Sequence, residues 1–191
     1  SKWLFFTKPF IMPVLLLFYV LNAEQYSVVI ILALFLAFLG DFFLMWHKKQ
    51  WSFLSGLLSF FVMQIFYVIF ILGHQIHLAS LGFEAWVMML VYLMLGAFIF
   101  ILLYRFLQNL KIPVIFYILA LLSVSYFCFL TVMEHKNEIA FVQYIGSLLF
   151  IVSDTILALD SFRKPIRYAG IYIMLTYIVA QIFLLSGFMN T

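Results

Sequence analysis

The sequence predicts an all-α protein, a polytopic transmembrane helical bundle, and three observations carry that prediction. Of its 191 residues 68% are hydrophobic and only 9% charged, more apolar surface than a soluble domain of this length can hide. Apolar runs near the roughly 20 residues that a bilayer-crossing helix needs recur along the whole chain. The remaining charges collect mainly in the short segments between those runs. A helix keeps its backbone hydrogen bonds internal, which hydrocarbon requires.

Seven spans follow in order, at about 4–22, 26–46, 51–73, 83–105, 112–133, 139–160 and 166–188. The first carries Pro9 and Pro13, expected in its first turns, where proline is tolerated. The second contains Asp41, and the third contains Gln64 and Tyr67. The fourth runs from Glu84 towards Arg105. The fifth opens on Pro113 and places Tyr117 about one and a half turns inside. The sixth contains Ser153 and Asp154, and the seventh Tyr177 and Gln181. Trp46, Trp51 and Trp86 mark interfaces, where amphipathic rings settle.

Charge gives direction. Lys2, Lys8, Lys48, Lys49, Arg105, Lys111, Arg163, Lys164 and Arg167 fall on one side of the bundle. The other side carries Glu24, Glu84, Glu134 and Glu138, with Lys136 as its one basic residue. The positive-inside rule makes the first side cytoplasmic, with the C-terminus outside and the inner membrane of a cell as the expected location. The basic residues thus serve as topology signals and do not imply a nucleic-acid partner. The single cysteine, Cys128, allows no disulfide within the chain and reads as a small apolar residue. No cleavable signal peptide is evident.

The chain reads as a single bundle domain, 1–191, with an internal repeat. Lys8-Pro9 opens span 1 as Lys111-Ile112-Pro113 opens span 5. Val62-Met63-Gln64-Ile65-Phe66 in span 3 matches Val179-Ala180-Gln181-Ile182-Phe183 in span 7. The offset is an even number of spans, so the halves, about 1–105 and 106–191, are expected to be parallel about an axis along the membrane normal. Span 4 then lacks a partner. A helix upstream of Ser1 would supply it and complete a four-plus-four bundle of eight.

The repeat pairs two aspartates, Gly40-Asp41-Phe42-Phe43-Leu44 and Ser153-Asp154-Thr155-Ile156-Leu157. A carboxylate in lipid is costly and usually faces a bundle interior or a wet cavity. Both lie roughly 8–9 Å below the cytoplasmic boundary at 1.5 Å rise per residue. Lys8 enters at the same side, Tyr117 lies close in depth, and Gln64, Tyr67, Tyr177 and Gln181 lie deeper. Helical spacing puts Gly146, Ser153 and Asp154 broadly on one face. Gly146 is expected to allow close helix approach, and Gly40 either leaves room for a ligand or serves packing. Taken one at a time, such polar residues are commonly interhelical links worth about 0.6 kcal/mol. As a set they predict a polar cavity opening towards the cytoplasmic half. The bland reading of the aspartates is a structural pairing with Lys8 or the basic loops. Asp160, at a helix end beside Arg163 and Lys164, reads as solvated. His74 and His77 lack a third ligand nearby, His47 and His135 are loop residues, and no metal site is expected. There is no nucleotide-binding Gly loop and no nucleophile elbow.

These residues resemble the YhhN-type lysoplasmalogenase family of membrane proteins. The likeness rests on Lys8-Pro9 with Met12-Pro13, Gly40-Asp41 with Leu44-Met45, and Phe53 and Gly56 with Ser59-Phe60 and Tyr67. It continues through Pro113-Val114 with Tyr117, Gly146-Ser147-Leu148-Leu149-Phe150 into Ser153-Asp154 with Leu157-Ala158, and Tyr177 with Gln181. It spans nearly the whole chain in family order, and it implies eight membrane helices. Many members carry a histidine where this chain has Gln64, which hydrogen-bonds but does not act as an acid or base at neutral pH.

The resemblance implies hydrolysis of the vinyl ether bond of lysoplasmalogens to a fatty aldehyde and a glycerophospho-ethanolamine or -choline. That chemistry needs an acid to protonate the vinyl β-carbon, a group to stabilise the resulting oxocarbenium ion, and a base for water. Two carboxyl groups in different ionisation states supply all three, as in glycosidases. Asp41 and Asp154 are the candidate catalytic pair. Lys8 is expected to bind the headgroup phosphate or tune an aspartate. Gln64, Tyr67, Tyr117, Ser153, Tyr177 and Gln181 are expected to line the substrate and water site. The chemistry calls for no metal and no organic cofactor. The expected partners are a lysophospholipid substrate and membrane lipids. The alternative is a small-molecule or lipid transporter whose aspartates relay protons. A scaffold or lipid sensor is a further reading, kept open by Gln64.

Overall fold

A computed structural model describes residues 2–23, 25–45, 50–76 and 82–190, with the backbone alone for 2–9 and 50. Glu24, Trp46, His47, Lys48, Lys49 and His77 lie outside the described residues, as do the side chains of Lys2 and Lys8.

The described residues form seven α-helices, α1 (Lys2–Asn22), α2 (Val28–Leu44), α3 (Gln50–His74), α4 (Phe83–Tyr104), α5 (Lys111–His135), α6 (Glu138–Ala158) and α7 (Ala169–Met189). Five helical stretches, from Trp51–His74 onward, are long and apolar enough to cross a membrane, and α2 is a shorter apolar helix. Large exposed side chains such as Phe10, Leu21, Met94 and Ile101 cover the outside. So extensive an apolar exterior suits lipid and not water.

Chain chemistry sets the helix ends. Lys136 takes the left-handed conformation after α5 and returns its N–H to the Val132 carbonyl at 2.9 Å. Asn137 then caps α6, its Oδ1 accepting from the Ala140 N–H at 2.8 Å. The α5–α6 connection is therefore two residues long. At the end of α2 the Ser52 hydroxyl donates to the Phe43 carbonyl at 2.6 Å, satisfying an acceptor that the helix terminus would leave open.

Two expectations about the spans change. Because α1 begins at Lys2, Pro9 and Pro13 lie inside it and not in its first turn. The preceding Trp3-Leu4-Phe5-Phe6 is apolar, and in lipid a continuing helix with a missing donor costs less than unpaired backbone. Span 6 runs on past residue 160 through a single π-helical turn, Leu159–Arg163, closed by Lys164 N–H to the Leu159 carbonyl at 3.1 Å. Asp160, expected in solvent, caps the exit from this turn in exposed surroundings. Its Oδ1 accepts from the Ile166 N–H at 2.7 Å.

Six helices close a ring in the order α1, α2, α3, α5, α6, α7, with α7 returning to α1. The α6–α7 and α2–α3 pairs pack most extensively. Glycine explains both. A β-carbon on Gly146 would fall 2.9 Å from the Ala180 carbonyl oxygen on α7, and one on Gly40 would fall 2.8 Å from the Phe60 ring on α3. Small residues let membrane helices approach where larger ones would hold them apart. The α4 helix stands outside the ring, packed on α5 and touching the π-helical turn. It is tied inward by Tyr92, whose hydroxyl meets Ser125 Oγ at 2.8 Å, with Ser147 continuing to Ser125 at 2.8 Å. The half of the bundle that carries the α5–α6 turn has its own link. Gln143 Nε2 donates to Gln75 Oε1 at 2.9 Å, Gln75 Nε2 donates to the Gly187 carbonyl at 3.0 Å, and His135 Nε2 meets the Gln75 carbonyl at 2.8 Å.

Candidate active site

Asp41 lies one turn from the end of α2 and Asp154 one turn from the end of α6, and these two helices run in the same direction, so both carboxyl groups lie at the end of the bundle that carries Arg105, Lys111, Arg163 and Arg167. Asp41 is fully buried and Asp154 is half-buried. Tyr117 on α5 donates its hydroxyl hydrogen to Asp154 Oδ2. The same tyrosine lies beside the Gln64 amide and within electrostatic reach of Asp41. Tyr177 on α7 lies beside Asp41 and within reach of Asp154 and Tyr67. The two carboxyl groups thus converge on the same pair of tyrosines.

Aromatic packing fixes this arrangement. The Tyr177 ring sits edge-on to Phe60 at 5.9 Å and tilted against Phe150 at 5.9 Å. Phe60 is held in turn over Gly40, where any side chain would displace it. Gly40 is therefore a packing residue beside Asp41 and not an opening for a ligand.

Above the cluster lies an apolar cleft of about 550 Å³ when its open mouth is counted. Phe53, Leu57 and Phe60 of α3 form one wall, and Ile99 and Leu103 of α4 another. Tyr117 and Asp154 are the polar side chains among its lining that can meet a substrate with a hydrogen bond or a proton, with Thr155 already donating to the Ile151 carbonyl at 2.7 Å. Phe162, carried by the π-helical turn, meets Phe53 edge-on at 5.2 Å across the cleft. A π-helical turn re-aims a side chain, and such turns are frequent at functional sites. Its apolar walls and single acidic group suit a hydrocarbon-bearing substrate that undergoes proton transfer.

Of the residues expected in the site, Asp41, Gln64, Tyr117, Asp154 and Tyr177 come together. Tyr67 and Gln181 border them but satisfy one another, Tyr67 donating to Gln181 Oε1 at 2.7 Å while Gln181 Nε2 points to Met63 Sδ at 3.8 Å. Ser153 is not brought into the cluster. Its hydroxyl donates to the Ile173 carbonyl on α7 at 3.1 Å, because one residue along a helix is a rotation of about 100°. The Lys8 side chain lies outside the described residues. The cleft's Phe53, Leu57 and Phe162 were not singled out as site residues. The spacing of Phe53, Leu57, Phe60, Gln64 and Tyr67, alternating four and three, is the signal that places the α3 wall and the site polar groups on one stripe. No group of three or more potential metal ligands occurs among the described residues.

A sequence model described as the YhhN family matches residues 3–188. No curated protein and no solved structure matches the chain.

Proposed function

From the premise that this chain belongs to the YhhN family, we propose that it is a membrane-embedded hydrolase that cleaves the vinyl ether bond of lysoplasmalogens. The observation that carries this reading is the convergence of two carboxyl groups, from α2 and α6, on Tyr117 and Tyr177 beneath an apolar cleft. The hydrocarbon chain occupies the cleft between α3 and α4. One carboxylic acid gives its proton to the vinyl β-carbon, and the ether oxygen shares the resulting positive charge as an oxocarbenium ion. The other carboxylate stabilises that ion and takes a proton from water as its oxygen adds to the α-carbon. The hemiacetal then collapses: its hydroxyl returns a proton to the first carboxylate, the α-carbon to glycerol-oxygen bond breaks as the second carboxyl group gives its proton to that oxygen, and a fatty aldehyde and a glycerophospho-alcohol leave with both carboxyl groups restored. The arrangement parallels the two carboxyl groups of glycosidases, which face the same kind of ion.

Tyr117 holds Asp154 in one orientation, so the group that meets substrate does not have to be ordered during the reaction. Transport is the less favoured reading. It needs the far half of the bundle to open, and that half is cross-linked by Gln75, Gln143, His135 and Gly187. Purified protein supplied with alkenyl-lysophospholipid should release aldehyde and leave the saturated alkyl ether intact. Cleavage of both, or of neither, rejects the reaction proposed.

A further inference from the structure

Gln64 is fully buried, and both its amide oxygen and its amide nitrogen lack a hydrogen-bond partner among the described residues. Leaving a buried donor and a buried acceptor unmade costs about 1–3 kcal/mol each, and such exceptions ask for an explanation. The position supplies one. Gln64 follows Phe53, Leu57 and Phe60 on the stripe of α3 that walls the cleft, one turn further in. There it lies beside Tyr117, whose hydroxyl hydrogen is already committed to Asp154 and so is not given to Oε1.

A primary amide offers one acceptor and one face of donors. The group that satisfies both at one point is an O–H, which donates to Oε1 and accepts from Nε2. A carbonyl, an ether or an ester oxygen only accepts, and an ammonium only donates. We propose that Gln64 is the receptor for an O–H group next to the Asp154–Tyr117 pair, supplied by the glycerol 2-hydroxyl of a single-chain lipid or by the water that the hydrolysis consumes. This inference rests on the function proposed above for the identity of the lipid. A glycerol 2-hydroxyl sits one carbon–carbon bond from the carbon bearing the 1-ether, so anchoring it at Gln64 sets that ether beside the carboxyl group. An acylated 2-position has no hydrogen to give and leaves Oε1 unpaired, so the same contact discriminates against two-chain lipids.

The test compares 1-O-alkyl-lysophospholipid with its 2-deoxy counterpart, both saturated ethers, by equilibrium binding to the purified protein in detergent micelles. If the lipid supplies the O–H, the wild-type protein prefers the hydroxyl form by about ten- to a hundredfold, and Gln64→Met brings the ratio near one. If water supplies it, the wild-type protein binds the two alike, and Gln64→Met lowers kcat for aldehyde release while KM holds. A hydroxyl preference that persists in Gln64→Met overturns the proposal. So does the absence of any preference together with a Gln64→Met kcat equal to that of the wild type, or with a wild-type protein that releases no aldehyde. The deoxy lipid probes the wild-type protein, so a poorly folded variant does not blunt the comparison. Hydroxyl discrimination without aldehyde release would leave the Gln64 assignment standing and remove the hydrolase reading.

Discussion

Tyr117 on α5 donates its hydroxyl hydrogen to the Asp154 carboxylate on α6, and this bond joins the two helices at the floor of the apolar cleft. It makes the carboxylate's orientation a property of a second helix. A hydrogen bond to a charged group contributes about 1.5–3 kcal/mol. Tyr117→Phe should therefore lower kcat for aldehyde release by about ten- to a hundredfold, with KM little changed. On an Asp154→Asn background Tyr117→Phe should add little, since the carboxyl group that the tyrosine orients is already gone.

Asp41→Asn and Asp154→Asn keep shape and polarity but remove the acid or the base. Each should lower aldehyde release by about a hundred- to ten-thousandfold, with the protein still eluting as a single folded species in detergent. The double variant should be no slower than the worse single one, because groups acting as a unit are not additive. Near wild-type turnover in both single variants would exclude the carboxyl pair as the catalysts.

Gly146→Ala places a β-carbon 2.9 Å from both the Ala180 carbonyl oxygen and the Leu184 nitrogen. The obstacle is backbone, which does not step aside as a side chain does. The α6–α7 pair must separate, at an expected loss of about 1–3 kcal/mol, read as a lower midpoint of thermal unfolding in detergent. Gly40→Ala meets the Phe60 ring first. It should displace Phe60 from Tyr177 and impair turnover more than stability.

Phe162→Ala removes the ring that faces Phe53 across the cleft at 5.2 Å. The chain-binding wall loses area while the carboxyl pair is untouched, so KM should rise with kcat nearly constant. A fall in kcat alone would mean that Phe162 acts on the reacting groups and not on the chain.

The spans were legible because hydropathy in lipid is one-dimensional, and each expected span overlaps a described helix. The aspartates were legible for the same reason, being charges where charge is expensive. What escaped the sequence depends on rotation about a helix axis or on a neighbour distant in the chain. Ser153 and Asp154 are adjacent, yet one serves α7 and the other the cleft. Gly40 read equally well as room or as packing until Phe60 was found over it. The π-helical turn leaves no mark in an apolar stretch, although it carries Phe162 to the cleft. The interior course of Pro9 and Pro13 reflects a solvent in which proline breaks helices less readily than it does in water.

The placement of α4 outside the ring of six has an energetic consequence. The ring closes through α7 and α1, and Asp41, Gln64 and Tyr177 are buried on its helices. The α4 helix lends Ile99 and Leu103 to the cleft and rests mainly on α5. The free energy that keeps the protein upright is thus stored in one set of helices, and the shape of the guest it admits is set by another. Sequence change along α4 can retune that guest at little risk to the fold.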